Sequence, residues 1–471
     1  MTDNSPPAGM NTATLGVGEA LARLIAFGAS LLIARRLGPD AFGVIGVASG
    51  LLLYLTQVAD QGIELVGVPL VARDELRARP VVSATLAYRM LAALGLAAIV
   101  GLIARVVLPA PDGRVLALYA PTLVLAAAST RWVLLGLRHP GVVAVARVAG
   151  ELVALAMVAM LVQLPADLPW VPLAAIAGGL LTAMVMLVGT WRAGMPVSVS
   201  FRWADCRELF VRGRPIVAFT LLGLILFNFD LIFLRFVKGE AAAGEYAAAY
   251  TFIAFASNLI VAFAHSVMPS LARSRDAEAG GDGDRLYGGA VTQVVALTLP
   301  AAIGGAVVAS SLVTLVFGDA FLPGAVALRW LVLSLPFAAI REIAVVAVIA
   351  SGGERSLVRV NLVTVVCNVA LNLILVPTYG LAGAAAATLT TEVIRLALAY
   401  RAAALVGFHF SSLRRLVKPI VATIVMGVAL YLTGGDSLWR AVLAGAAAYG
   451  VALVALGGVR FRGRALPDLT L

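Results

Sequence analysis

The sequence predicts an all-α polytopic membrane protein: about fourteen transmembrane helices, arranged as two parallel six-helix lobes around a central cleft plus two C-terminal helices. Three observations lead there. Hydrophobic residues make up 61% of the 471 residues and the mean hydropathy is +1.00, well above the roughly half expected of a soluble domain. Apolar runs of about twenty residues recur about every thirty, and such a run spans a hydrocarbon core of about 30 Å at about 1.5 Å per residue. The runs 51–55 and 91–103 do not alternate polar with apolar residues as barrel strands do. Because unpaired backbone cannot face lipid, they are helices.

In order, the first two runs, 14–34 and 41–62, are separated by Arg35 and Arg36; Gly62 can break the second, and Arg73, Arg77 and Arg79 follow it. The third, 82–108, leads through Arg114 to 115–137, and Arg138 marks the turn into 142–163. The short connector 163–170 opens 170–190, and the segment 191–214 follows with Arg192, Arg202, Arg207, Arg212 and Arg214. The next pair, 215–236 and 246–268, turns at Lys238 and ends in Arg273, Arg275 and Arg285. The runs 288–316 and 326–350 flank the connector 318–324; Arg355 and Arg359 precede 358–377, and 377–383 leads to 381–405. Arg414, Arg415 and Lys418 lead into 416–433, Arg440 starts 438–458, and Arg460, Arg462 and Arg464 close the chain. Positive charge is thus concentrated on alternate connectors, with only Arg35, Arg36, Arg114, Lys238 and Arg440 on the others, so the basic connectors and both termini are expected in the cytoplasm.

The chain also repeats itself. Arg35, Pro69, Ala72 and Arg73 recur 200 residues on as Arg235, Pro269, Ala272 and Arg273, and Arg147 and Pro165 recur 212 residues on as Arg359 and Pro377. A shift of six spans keeps the helix direction, so the halves are expected to be related by an axis along the membrane normal. The domains read 1–190 as an N-lobe, 191–214 as a cytoplasmic linker lying at the membrane surface, 215–405 as a C-lobe, and 406–471 as the last two helices and a tail.

Composition excludes several chemistries. The net charge of +10 is a cytoplasmic collar attracted to anionic lipid rather than a nucleic-acid face. Residues 1–11 have no basic n-region, which reads as a retained first helix rather than a cleaved signal. The two lysines, Lys238 and Lys418, sit in no Gly-rich phosphate loop, so ATP hydrolysis is not expected. His139, His265 and His409 have no metal-ligand neighbour at i+4, and Cys206 and Cys367 form no thiolate site; neither metal, cofactor nor catalytic residue is expected.

Ionisable residues inside spans mark polar cavities. Here they are Glu19 and Arg23, Arg89, Arg131, Arg147 and Glu151, Asp230, Arg341 and Glu342, and Glu392 and Arg395. The substrate-binding candidates are Arg23, Arg89, Arg131 and Arg341, because a planar guanidinium donates two parallel hydrogen bonds to a phosphate. Arg341 lies mid-span, where snorkelling is hardest; Arg131 has no evident local acid; Arg147 and Arg395 are expected to snorkel to the cytoplasmic edge. Glu19 and Arg23, at i,i+4, neutralise each other or face the cavity. The carboxylates Glu19, Asp60, Glu64 and Asp230 are the candidates for binding a coupling proton or sodium ion, since a site whose environment changes between states binds an ion in one and releases it in the other.

The segment "ARRLGPDAFGVIGVASGLLLYLTQVADQGIELVGVPLVAR" resembles the opening signature, and "NFDLIFLRFVKGEAAAGEYAAAYTFIAFASNLIVAFAHSVMPSLAR" and "NLVTVVCNVALNLILVPTYGLAGAAAATLTTEVIRL" resemble the seventh-to-eighth and eleventh-to-twelfth helices, of bacterial polysaccharide or O-antigen flippases of the multidrug/oligosaccharidyl-lipid/polysaccharide (MOP) superfamily. The resemblance implies an alternating-access transporter, not an enzyme, of the bacterial inner membrane that flips undecaprenyl-diphosphate-linked oligosaccharide for surface polysaccharide such as lipopolysaccharide or exopolysaccharide. It implies as partners the lipid-linked substrate, membrane lipids and the polymerase and chain-length machinery, with no nucleic acid and a monomeric carrier. A MATE-like multidrug/cation antiporter shares the fold and is the alternative. A membrane glycosyltransferase, polymerase or ligase would need longer periplasmic connectors than 163–170, 318–324 and 377–383.

Overall fold

The computed structural model describes residues 8–60, 62–109, 111–198, 200–276, 282–410, 414–433, 438–460 and 468–469; Ser437 and the tail arginines Arg462 and Arg464 lie outside the described residues. Apart from two short 3₁₀ turns and an antiparallel pairing of Val459–Arg460 with Asp468–Leu469, the elements are α-helices. Two compact units divide the chain at Asn228 and Phe229.

The first unit holds α1 (Ala8–Asp60), α2 (Ile63–Arg73), α3 (Glu75–Val107), α4 (Asp112–Tyr119), α5 (Thr122–Ala127), α6 (Arg131–Gly136), α7 (Pro140–Leu161), α8 (Trp170–Arg192) and most of α9 (Trp203–Lys238). In it α1 packs along α7, and α7 along α8. The second unit holds the end of α9, then α10 (Glu240–Asp276), α11 (Asp282–Phe317), α12 (Ala325–Ala350), α13 (Glu354–Leu405), α14 (Arg414–Thr433) and α15 (Leu438–Ala455). Here α12 is enclosed by α10, α11 and α13, and α14 and α15 pair with each other against α11.

Eleven helical stretches among the described residues are long and apolar enough to cross a membrane, rather than the fourteen separate spans read from the sequence. Part of the difference lies at two sharp kinks, where a non-helical glycine joins consecutive helices with almost no connector. The first two runs are two helices joined at Gly38 (φ 78°, ψ 178°) and counted together as α1, and the eleventh and twelfth are two helices joined at Gly380 (φ 55°, ψ −126°) and counted together as α13. The run 115–137, expected as a single helix, is split into α4, α5 and α6, because Pro121 offers no N–H and the chain leaves helical geometry at Thr130.

Polarity is distributed as a lipid solvent demands. Leu102, Val106, Met160, Ile374, Tyr431 and Leu443 are exposed on the helix flanks, whereas Arg89, Thr130, Thr190, Asp230, Asn368 and Asn372 are buried. A hydrocarbon solvent leaves apolar flanks at no cost and drives polar groups to find partners inside the protein.

The internal repeat is visible in backbone geometry within each unit. Gly38 (φ 78°) has its counterpart in Gly239 (φ 97°), each following the first helix of its half. The turn after α6, with Arg138 N–H donating to Leu135 and His139 N–H to Leu134, is copied after α12 by Gly352 to Ile349 and Gly353 to Val348. The turn after α8, Gly194 to Trp191 and Met195 to Thr190, is copied after α13 by Gly407 to Ala404 and Phe408 to Ala403. Side chains repeat as well: Arg36 Nη1 caps the end of α7 at the carbonyls of Ala159 (2.8 Å) and Val162 (2.7 Å), and Lys238 Nζ caps α13 before its break at Pro377 O (2.8 Å).

Arg138, at φ 62°, is the one non-glycine residue with positive φ among the described residues, where its repeat counterpart is Gly352. Arg138→Gly is therefore expected to stabilise the protein by about 1 kcal/mol, because a β-carbon is disfavoured in the left-handed region. A higher unfolding midpoint in detergent checks this; a lower one refutes it.

Candidate functional site

The first unit holds a cavity of about 570 Å³ lined from seven helices. Its charges come from Glu19 and Asp60 of α1, Glu64 of α2, Arg89 of α3, Arg131 of α6, and Arg147 and Glu151 of α7, with Thr182 and Met186 of α8 completing the wall. Local backbone features place them. Gly62, at φ 68°, breaks the chain between Asp60, the last residue of α1, and Glu64, in the first turn of α2. The break before α6 exposes carbonyls at the cavity wall and is pinned by Thr190 Oγ1 donating to Thr130 Oγ1 at 2.7 Å. α7 and α8 approach so closely at Gly150 and Gly178 that a methyl group on Gly150 would come within 2.6 Å of Gly178 O.

The ion pairs are specific. Arg89, only 2% exposed, donates to Asp60 at 2.7 Å and to the carbonyls of Ala126 (3.4 Å) and Ser129 (3.5 Å) at the end of α5. Arg131 lies between two acids, Glu64 at 2.9 Å and Glu19 at 3.3 Å, and Arg147 pairs with Glu151 at 3.2 Å. Two donors stay unused: Nε of Arg89 and Nε of Arg131 are buried without a hydrogen-bond partner. A buried N–H without an acceptor costs about 1–3 kcal/mol.

The second unit holds two further clusters. In one, Arg341 bridges Glu342 (2.6 Å) and Glu392 (2.9 Å), and Arg395 joins Glu392 (3.4 Å) to Asn361 Oδ1 (3.2 Å). In the other, Asp230 is fully buried and accepts from the Tyr246 hydroxyl, from Thr388 Oγ1 at 3.1 Å and from the Leu231 N–H at 2.9 Å.

Of the residues singled out in the sequence, Glu19, Asp60, Glu64, Arg89 and Arg131 thus meet in one cavity, whereas Arg341 and Asp230 belong to the second unit. Arg23 is exposed on α1, outside the cavity lining. Three expectations are corrected. Arg131 has two local acids, because the split of the fourth run and the start of α2 bring α6 against Glu64; Glu19 turns to Arg131 across the cavity. Arg147 does not snorkel but lines the cavity with Glu151. Arg395 is likewise buried, held by Glu392 and Asn361. Sequence reasoning missed Tyr246 and Thr388 around Asp230; Thr388 and Glu392 are one helical turn apart, a polar spacing inside an apolar helix that could have flagged them.

The sequence matches the model of a family described as polysaccharide biosynthesis protein over residues 8–275. No curated protein matches it. Among solved structures, the lipid II flippase MurJ in an inward-closed conformation aligns with a TM-score of 0.76 at 13% identity, covering 94% of this chain and 98% of that one. An inward-facing multidrug resistance MATE family transporter of the MOP superfamily aligns at 0.66 and 14% identity, covering 83% and 97%. A MOP superfamily transporter from Pyrococcus furiosus aligns at 0.55 and 15% identity, covering 83% and 93%. At these identities the likeness is one of fold: this multi-pass membrane protein has the MurJ and MATE architecture.

Proposed function

Because the chain belongs to the polysaccharide biosynthesis protein family, we propose that it is a flippase, moving an undecaprenyl-diphosphate-linked oligosaccharide from the cytoplasmic to the periplasmic leaflet by alternating access, for surface polysaccharide assembly. The observation behind this reading is the unit-one cavity, which Arg89, Arg131 and Arg147 line with guanidiniums inside a membrane-spanning bundle. A diphosphate with sugars cannot cross hydrocarbon unaided, and guanidinium donors suit its oxygens. Deleting the gene and identifying lipid-linked glycans in the inner leaflet tests it. Accumulation of one such glycan is the expected result; an unchanged lipid-linked pool would reject it.

A second reading, a MATE-like cation antiporter, is favoured by one observation: four carboxylates face three guanidiniums in that cavity. It predicts that the deletion strain gains sensitivity to lipophilic cations while its glycan pool stays normal.

The carrier acts as a monomer in the bacterial inner membrane, delivering glycan to a polymerase and chain-length machinery. Transport draws on a proton or sodium gradient, with Glu19, Asp60, Glu64 and Asp230 as the coupling carboxylates. Reading each broken helix, α1 and α13, as two crossings and α9 as another brings the count to fourteen, an even number that puts both termini on one side; the basic connectors make that side the cytoplasm. A cysteine at Ser198, in a background lacking Cys206 and Cys367, should then react with a membrane-impermeant maleimide only after the inner membrane is opened. Reaction in intact spheroplasts would reverse the topology.

A further inference from the structure

We propose that a furrow on the outer face of α7 and α8 binds one anionic glycerophospholipid of the cytoplasmic leaflet, with its phosphate at Arg192 and His139 and an acyl chain lying along the helix pair. The site is independent of the flippase reading and takes from the topology above only the choice of leaflet.

The furrow, about 580 Å³, lies wholly in the first unit, on two helices long and apolar enough to cross a membrane. Its walls are Val142 and Val145 of α7 and Met184, Val185 and Val188 of α8. Gly141 keeps its mouth open, since a β-carbon there would meet no atom within 4 Å. It is distinct from the charged cavity. Val145 and Met184 each precede a cavity residue, Arg147 and Met186, by two positions, which is about 200° round a helix, so the furrow runs along the opposite side of the pair. Val145, Met184 and Val188 are 64%, 47% and 47% exposed, and apolar side chains bared on a spanning helix face lipid. From Met184 to Arg192 the helix rises about 12 Å, most of one leaflet's share of a hydrocarbon core of about 30 Å.

The walls alone select nothing, because lipid chains are as apolar as valine. Selection comes from the mouth. Arg192, the last residue of α8, is exposed, and its guanidinium makes no ion pair or hydrogen bond among the described residues, not even to the carbonyls of its own last turn. His139, directly before α7, is exposed too, and its ring N–H donates whether the imidazole is neutral or charged. Arg138 adds a third exposed cation at this end of α7, kept in a left-handed backbone where the second repeat has Gly352. The positive end of the α7 dipole points the same way. No carboxylate lines the furrow, so the ammonium of a zwitterionic headgroup would meet only cations, whereas an anionic phosphodiester finds charge-assisted donors and no repulsion.

The test uses the full-length protein in phosphatidylcholine nanodiscs doped with phosphatidylglycerol that carries a photoactivatable diazirine in one acyl chain. Mass spectrometry of the crosslinked peptides locates the adducts. They are expected to concentrate on the furrow segments of α7 and α8, above the level at the lipid-exposed Val106 of α3 and Leu443 of α15, and to be displaced by unlabelled phosphatidylglycerol but not by phosphatidylethanolamine. Arg192→Gln should lower the furrow adducts about fivefold, the worth of one basic residue at an anionic surface, and leave those at Val106 and Leu443 unchanged. Arg192→Lys should restore them, because a point charge serves a phosphate. Arg192 is exposed and unpaired, so neither variant puts folding at stake. Val145→Trp fills the furrow with every charge in place and should also lower the adducts; wild-type labelling in that variant would mean the chain does not lie there, and the proposal fails. Adducts no denser in the furrow than at Val106, or unchanged in Arg192→Gln, or displaced equally by the zwitterionic lipid, overturn it. Displacement by farnesyl-diphospho-N-acetylglucosamine and not by phosphatidylglycerol overturns it as well, since the furrow would then be a loading site for a diphosphate-linked substrate.

Discussion

Arg341→Ala is expected to give the largest loss of stability of any single substitution considered, about 3 kcal/mol or more. The side chain is 8% exposed and bridges Glu342 at 2.6 Å and Glu392 at 2.9 Å, so its removal leaves two carboxylates in a low-dielectric interior with only Arg395, at 3.4 Å from Glu392, to hold them. Breaking a buried pair by deleting one partner typically costs about 3–5 kcal/mol, because the surviving charge stays desolvated. Arg341→Lys keeps the charge but cannot span both acids with one fork, so it should fall between the two, with folded protein still recoverable. Neutralising one acid too, as Arg341→Met with Glu342→Gln, leaves Glu392 to pair with Arg395 and should regain much of the loss. Thermal unfolding of the purified variants in detergent measures all three. A wild-type midpoint for Arg341→Ala would mean the quartet does not hold this unit together. If Arg341→Lys folds normally but exports no glycan, the fork geometry serves binding as well as structure.

That cluster also shows how far a sequence can be read. Length and hydropathy were enough for an all-helical membrane bundle, because about twenty apolar residues in lipid permit little else. The repeat was legible from Arg35 and Arg235 and from Pro165 and Pro377, and the structure extends it to Gly38 and Gly239 and to paired helix-end turns. The buried charges were legible as charges, since an ionisable residue in an apolar run stands out whatever its neighbours. Their partners were not. Arg131 and Glu64 are 67 residues apart, and the contact depends on α4, α5 and α6 being three short helices, which no periodicity signals. Arg147 and Arg395 were misplaced for a related reason: distance from a helix end predicts snorkelling only where the helix faces lipid, and both side chains face the interior of their units. The hydroxyls of Tyr246 and Thr388 could not be assigned to Asp230 without knowing that α10 and α13 pass beside α9.

Asp230→Ala and Asp230→Asn should separate structure from coupling. The carboxylate is fully buried and ion-paired to no cation among the described residues; it is held instead by the Tyr246 hydroxyl, Thr388 Oγ1 and the Leu231 N–H. Alanine leaves the buried Tyr246 hydroxyl only Thr388 Oγ1 at 3.4 Å as a distant acceptor, while Thr388 still donates to Ala384 O at 3.1 Å, so the expected loss is about 1–2 kcal/mol. Asparagine fits the same geometry: its oxygen keeps the Leu231 N–H, and its NH₂ donates to hydroxyls that rotate to accept, so folding should stay within about 1 kcal/mol of wild type. What asparagine cannot do is gain or lose a proton, or offer a sodium ion a full negative charge. A tenfold difference in ion affinity between inward-open and outward-open states needs only about 1.4 kcal/mol, or one pKa unit, which a change in the Tyr246 and Thr388 contacts is large enough to supply. In vesicles carrying the purified protein, Asp230→Asn should therefore flip lipid-linked glycan at a rate that no longer responds to an imposed proton or sodium gradient, while the wild-type rate does. A gradient response that survives in Asp230→Asn would move the coupling to Glu19, Asp60 and Glu64 in the first unit, and a wild-type rate indifferent to both gradients would make the protein a facilitator, drawn forward by removal of the glycan on the far side.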